Sequence, residues 1–433
     1  MGHTADTNAR RSGATRLRVA PLFVFTLAIG CQDCAPSGQT SACAPECGEG
    51  FVCEAEALVC VSESLTPWTE VMPGRGAQVA WFDGAYLAAG LAGSQGAVVV
   101  GDPLSGSGAS SLTTTARGPR LSMSALDGEG VSLAWVDEDG FYRVASRESG
   151  APASRWSVDV VRSEMEEQTP SYTATSDFAL ARGADGLRSL VFRDARSGEL
   201  SHARSSGGPW TIEQVDDGAD SAQRCGSGDV VAREPSATLE ATTGDLYVAY
   251  HDGICGALKV ARRGDSSWTV ETVDRGDALP SGARAITGRA PSVTLTSQGE
   301  VAISYQDRTR GRLYYTRLRL GVWDRELVDR GDGVAQTGQR PKNIVGAFSS
   351  LSFDVNDAPT IAYFDSGVAA TRLATRGAAG AWSTDELDND GLVGLFVSSS
   401  RSPSGGVVVS ERVTPTSDGL TSQMSVTRLE VDQ

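Results

Sequence analysis

Five aspartates recur at one place in a repeating pattern. Asp137, Asp194, Asp252, Asp307 and Asp365 each close an aromatic–any–aspartate triplet, and the triplet aromatics stand 57, 58, 55 and 58 residues apart. Gathered on one side of a fold, such carboxylates form a surface that takes up a cation, a sugar or a basic partner. An aspartate in a Gly-containing turn also hydrogen-bonds its own backbone, and recurrence in every unit favours that role, because a single site needs no repeated copies. His251 lies beside Asp252 and four residues before Cys255, and it joins the ligand-binding candidates. His202 is a lone imidazole, the kind of residue that packs more often than it reacts. Three histidines in the whole chain leave little material for a Ser/His/Asp nucleophile, so no catalytic residue is assigned. Asp388-Asn389-Asp390-Gly391 and Asp216-Asp217-Gly218 carry oxygen ligands suited to calcium, the one cofactor left open, although neither has the spacing of an EF-hand loop.

The elements that hold these residues repeat with them. Trp156, Trp210, Trp268, Trp323 and Trp382 follow the triplet aromatics by 21, 18, 18, 18 and 19 residues, so both markers belong to one unit. In the clearest copy, Ser236 to Ala241, Leu246 to Tyr250, Ala257 to Ala261 and Trp268 to Val273 alternate apolar and polar residues between Gly/Asp/Ser turns. That pattern predicts four short strands and no amphipathic helix in the repeat region. Four antiparallel strands per unit of about 50 residues describe a β-propeller blade. Units beginning near Ala77, Leu121, Thr173, Ser236, Ser292, Leu351 and Val393 give an all-β, seven-bladed propeller, with six or eight blades as alternatives. The last unit offers three strands, and Trp68-Thr69-Glu70-Val71 matches the fourth-strand type, so an N-terminal strand is expected to complete the last blade and close the ring.

The blocks Pro235-Ser236, Pro291-Ser292, Tyr247-Val248-Ala249-Tyr250 and Trp268-Thr269-Val270-Glu271-Thr272-Val273 resemble the repetitive propellers of secreted bacterial proteins, in the broad group that includes sialidase-like and lectin-like folds. The resemblance implies the fold and leaves the activity open. No Ser-x-Asp-x-Gly-x-x-Trp turn typical of sialidases is present.

A net charge of −16 and a pI near 4.7 exclude a basic stripe able to displace counterions from nucleic acid. Residues 1–30 read as a signal peptide, with Arg10, Arg11, Arg16 and Arg18 before an apolar run from Val19 to Gly30 that is too short to span a bilayer. Leu27-Ala28-Ile29-Gly30-Cys31 resembles a bacterial lipobox. The resemblance implies lipidation of Cys31 and, with Gln32 following, an outer-membrane or cell-surface location; periplasmic or secreted forms are the alternative. Residues 31–67 form a Cys-rich segment and linker, in which Cys43, Cys47, Cys53 and Cys60 are expected to make two disulfides of unspecified connectivity, with zinc as the competing use. Cys34 is then left over. Residues 68–433 form the propeller.

Strand direction sorts the loops. Connections from second to third strands and connections between blades emerge on one face, which carries the five aspartates, the longest loops and both Cys225 and Cys255. A Cys225–Cys255 bond is expected there. The reading that follows is a non-catalytic module that binds a protein or carbohydrate partner through this face. A sialidase-like glycoside hydrolase and a structural component of an envelope complex are the alternatives.

Overall fold

The structure is a computed structural model and describes residues 51–54, 59–62, 75–92, 96–104, 110–113, 116–161, 172–226, 230–264, 267–331, 343–416 and 419–429. Cys31, Cys34, Cys43, Cys47, the leader and the Trp68 segment lie outside the described residues. The chain divides into two units, Met1–Glu63 and Ser64–Gln433. In the first, β1 (Phe51–Glu54) pairs antiparallel with β2 (Val59–Ser62), and the backbone of Cys53 lies opposite that of Cys60.

The second unit contains seven antiparallel sheets in chain order. Blade 1 holds β3 (Arg75–Phe82), β4 (Ala85–Ala92), β5 (Ala97–Gly101) and β6 (Ser110–Thr113). Blade 2 holds β7 (Ser122–Leu126), β8 (Gly130–Val136), β9 (Tyr142–Glu148) and β10 (Ser157–Val160). Blade 3 holds β11 (Phe178–Arg182), β12 (Arg188–Arg193), β13 (Leu200–Ser205) and β14 (Thr211–Asp216). Blade 4 holds β15 (Arg233–Leu239), β16 (Leu246–Asp252), β17 (Ala257–Arg263) and β18 (Trp268–Asp274). Blade 5 holds β19 (Arg289–Leu295), β20 (Val301–Asp307), β21 (Arg312–Arg319) and β22 (Val322–Asp329). Blade 6 holds β23 (Val345–Phe353), β24 (Pro359–Asp365), β25 (Ala370–Arg376) and β26 (Trp382–Asp388). Blade 7 has three strands among the described residues: β27 (Leu392–Ser402), β28 (Gly405–Thr416) and β29 (Gly419–Leu429).

The core lies between blades. Tyr142 and Val144 of blade 2 pack on Phe178 and Phe192 of blade 3, and each later junction repeats the arrangement. The ring closes where Val407, Val409 and Met424 of blade 7 pack against Ala77, Val79 and Tyr86 of blade 1. Because every blade is covered on both faces, the second strands β8, β16 and β20 are buried along their whole length. The alternation expected there gives way to continuous burial, as it does in any sheet covered on both faces.

In blades 4 to 6 both sequence markers are fasteners between blades. Tyr250, Tyr305 and Tyr363 donate their hydroxyls to Asp216, Asp274 and Asp329 at the end of the preceding blade's outer strand, at 2.5, 2.8 and 2.6 Å. The indole N–H groups of Trp268, Trp323 and Trp382 reach Glu213, Glu271 and Glu326 of the preceding blade at 3.2, 3.1 and 2.8 Å. A third fastener lies near the axis. The innermost strand leaves edge N–H groups without ladder partners, and those of Val79, Leu180, Val293, Leu351 and Ser399 bond to the hydroxyls of Ser398, Ser122, Ser236, Ser292 and Ser350.

One element departs from the expectation. A short helix, α1 (Ala219–Cys225), occupies the connection between blades 3 and 4. Seven residues give barely two turns, too few for an apolar period to show in the sequence.

Candidate functional site

The innermost strands of all seven blades line an axial channel of about 760 Å³. Five of them carry a bulge two residues before the ladder position, shifting register between Arg75/Gln78, Arg233/Ser236, Arg289/Ser292, Ala347/Ser350 and Leu395/Ser398. At the bulge the backbone is left-handed: Gly76, Glu234, Ala290, Phe348 and Phe396 have φ of 68°, 53°, 45°, 53° and 50°. A bulge re-aims its side chain, and a bulky residue held at positive φ costs about 1–3 kcal/mol, a strain that clusters at functional positions.

Two chemistries meet at this mouth. In blades 6 and 7, the rings of Phe348 and Phe396 meet at a tilt of 44° with centroids 5.1 Å apart, and Phe348 is 36% exposed. In blades 3 to 5 the residues are charged and paired. Arg193 donates to Asp177 at 2.9 Å, Asp177 accepts the Glu234 N–H at 3.0 Å, and Glu234 receives both Arg289 and the Ala290 N–H. Burial pushes the Glu234 carboxyl up, but Arg289 outweighs it and holds the group down at about 2. Arg120 donates to the Pro235 carbonyl at 3.2 Å. Arg308, exposed beside the mouth, has no side-chain partner among the described residues.

The aspartates of the repeat lie at the ends of second strands, and four of the five are buried. Asp137 accepts from Phe141 N–H and Arg143; Asp194 from Arg196 N–H and Thr173 N–H. Asp252 accepts from Ile254 N–H, Cys255 N–H and Ser221, Asp307 from Arg310, and Asp365 from Gly367 N–H and Arg372. All five cap turns, and Asp137, Asp252, Asp307 and Asp365 are also tied into ion pairs, so they are not a ring of free carboxylates. Burial pushes Asp307 above the usual carboxylate range. His251 donates Nδ1–H to the Thr287 carbonyl at 2.8 Å, and burial, reinforced by Arg289, lowers its imidazole to about 4. It is neutral at pH 7. His202 packs edge-on to Trp268 and donates to Glu213, whose carboxyl that hydrogen bond and Arg263 hold at about 2.

Cys225 and Cys255 are bonded and join α1 to the β16–β17 turn. Around them Ser221 donates to Asp252, and buried Lys259 sits between Asp216 and Asp252. Among the described residues no group of three or more His, Cys, Asp or Glu side chains is placed to hold a metal; Asp388 and Asp390 pair with Arg412.

The mouth residues Arg120, Glu234, Arg308, Phe348 and Phe396 were not among the sequence candidates. A signal for part of the set exists: Glu234-Pro235-Ser236 and Arg289-Ala290-Pro291-Ser292 place the bulge residue two before the repeated serine.

No protein-family model and no curated protein matches the chain. Among solved structures, the chain is similar to a fucose-specific lectin from Aleuria aurantia, at 13% identity over 72% of this chain and 96% of that one, with a TM-score of 0.42. It is similar to AofleA from Arthrobotrys oligospora at 14% identity, over 72% and 87%, with a TM-score of 0.44. It is also similar to the GH93 alpha-L-arabinofuranosidase of Fusarium graminearum at 14% identity, over 73% and 95%, with a TM-score of 0.47.

Proposed function

We propose that this propeller is a non-catalytic binding module that receives a protein or glycan partner at the mouth of its axial channel, on the face that carries the Cys225–Cys255 bond. The observation that carries the reading is the strained Phe348–Phe396 pair, which lines the same channel as Arg308, whose guanidinium has no partner among the described residues. Strain of this kind persists where it serves something other than stability. Aromatic rings and a cation lining one mouth suit recognition of an apolar surface bearing an acceptor group. The Glu234 carboxyl is unsuited to act as a general acid, because that role needs a raised pKa and Glu234 is held at about 2.

The proposed setting is the cell surface or outer membrane, with Cys31 as the lipid anchor. The basic-then-apolar leader and the cysteine cluster support it.

The test places a photo-crosslinking residue at Phe348 and, on the opposite face, at exposed Asn356 in the native host. A separate arm applies the protein to glycan and peptide arrays, with Phe348→Gly/Phe396→Gly and Arg308→Glu variants alongside. Glycine removes the rings and relieves the left-handed strain, so the fold is retained. Adducts confined to position 348, with array binding lost in both variants, are the expected result. Equal adducts from both faces, or binding indifferent to the variants, would overturn the proposal.

A further inference from the structure

The whole chain carries 54 acidic residues against 38 lysines and arginines, and the axial channel reverses that ratio. Its charged lining is Arg120, Asp127, Glu234, Arg289, Arg308 and Arg401, four guanidiniums to two carboxylates. Asp127 and Arg401 stand at the end away from the mouth, beside the far ends of β7 and β27. At the mouth Arg289 places two of its nitrogens on the two carboxylate oxygens of Glu234, so those charges cancel. Arg120 donates to the neutral Pro235 carbonyl, and Arg308 has no side-chain partner among the described residues. Two guanidiniums are thus left without a carboxylate at the concave end of an acidic protein.

Apolar side chains accompany these charges. Phe348, on its left-handed backbone, is partly exposed, and its ring is tilted at 44° against that of Phe396. Ile286 is 45% exposed; the Arg308 N–H donates to its carbonyl at 3.0 Å, and its own N–H donates to Thr309 Oγ1 at 2.8 Å. The backbone therefore holds an exposed aliphatic residue against the one that carries the free guanidinium. A sugar ring binds by laying a flat face on an open aromatic face. Two rings tilted against each other and a branched aliphatic chain make an uneven apolar surface instead, which suits the apolar side chain of a peptide.

On the reading that the mouth receives the partner, we infer that this partner is a protein and presents an acidic segment there, with carboxylates on Arg308 and Arg120 and an apolar side chain against Phe348 and Ile286. A guanidinium offers a planar fork of donors that matches a carboxylate, and the walls of a concavity focus its field. The net charge of −16 repels such a segment elsewhere on the chain, and the local attraction weakens as salt screens it.

The probes are fluorescein-labelled: a copolymer of glutamate and tyrosine, polyglutamate, and polygalacturonate as the acidic glycan. Each is titrated with the full chain and read by fluorescence anisotropy at about 50 and about 300 mM salt. The copolymer binds more tightly than the other two, and the added salt weakens it. Arg308→Gln removes the charge from an exposed side chain without a partner, so the fold is kept and the affinity falls about tenfold. Arg319→Gln, which removes the charge of another exposed arginine at the end of β21, leaves the affinity unchanged. Phe348→Gly lowers the copolymer's affinity to that of polyglutamate and leaves polyglutamate itself unaffected. Tighter binding of polygalacturonate than of the copolymer, an affinity that Arg308→Gln lowers no more than Arg319→Gln does, or no copolymer binding at about 100 μM would each overturn the inference. Crosslinks at position 348 in the native host that survive Arg308→Gln refute the acidic occupant and leave the mouth as the site, whereas adducts equal on both faces refute the mouth itself.

Discussion

Lys259→Met tests whether charge balance between blades holds the ring together at the disulfide-bearing face. Lys259 is 2% exposed, with Nζ at 2.9 Å from Asp216 and 3.4 Å from Asp252. Methionine keeps the stem and removes the cation, leaving two buried carboxylates uncompensated. Breaking a buried pair in this way costs about 3–5 kcal/mol. With about 2.1 cal/mol/K of unfolding entropy per residue over the roughly 370 residues of the unit, the melting temperature falls by about 4–6 °C. Urea unfolding followed by tryptophan fluorescence, paired with calorimetry, measures both. The pH dependence adds a signature. In the native protein burial raises the Asp216 carboxyl, but Lys259 and Tyr250 outweigh it and hold the group below its usual value. Its stabilising contribution is present above the unfolded carboxylate pKa and is lost as pH falls through the lower folded value. Without Lys259 the burial effect loses its main opponent, so the penalty is largest at neutral pH and shrinks as acid protonates the site. Lys259→Arg restores most of the stability, since Arg372 bridges Asp329 and Asp365 from the same place in blade 6. A loss below about 1 kcal/mol, or one equal at pH 7 and pH 5, would refute the reasoning.

Replacing both Cys225 and Cys255 by serine opens a loop of separation 30 and lowers stability by about 3–4 kcal/mol, read as a shift in the urea midpoint. Ala179 stands where five blades carry serine and blade 1 carries Gln78, whose side chain accepts from Met123; Ala179→Ser supplies the missing acceptor for the Ala237 N–H and raises stability by about 0.5–1 kcal/mol, and a lower midpoint would count against the axial ladder. His251 is depressed in the fold, so its contribution is present above the ordinary imidazole pKa of about 6.5 and is lost as pH falls toward about 4; His251→Gln flattens stability against pH across that window, and an unchanged slope would exclude it as the titrating group.

The repeat was legible because an aromatic-x-Asp triplet and a Trp recur in blades 2 to 6 at nearly constant spacing, and in blades 4 to 6 these residues fasten one blade to the next. Alternation along the chain also placed Cys225 and Cys255 on one face before their bond was known. The helix in the connection between blades 3 and 4 was not legible, since two turns leave no period. Neither were the mouth residues: Phe348 and Phe396 lie 48 positions apart and share no motif, because their common feature is a backbone angle at a bulge.

From sequence alone come the strands, their grouping into seven and the face on which the long loops emerge, since these follow from local periodicity and chain direction. Which carboxylates are free and which are bound is decided by partners on neighbouring blades, at separations of 30 to 60 residues. A one-dimensional pattern shows that Asp252 and Glu138 are both acidic. Only the folded ring brings Lys259 and Ser221 to the first and leaves the second without a side-chain partner among the described residues.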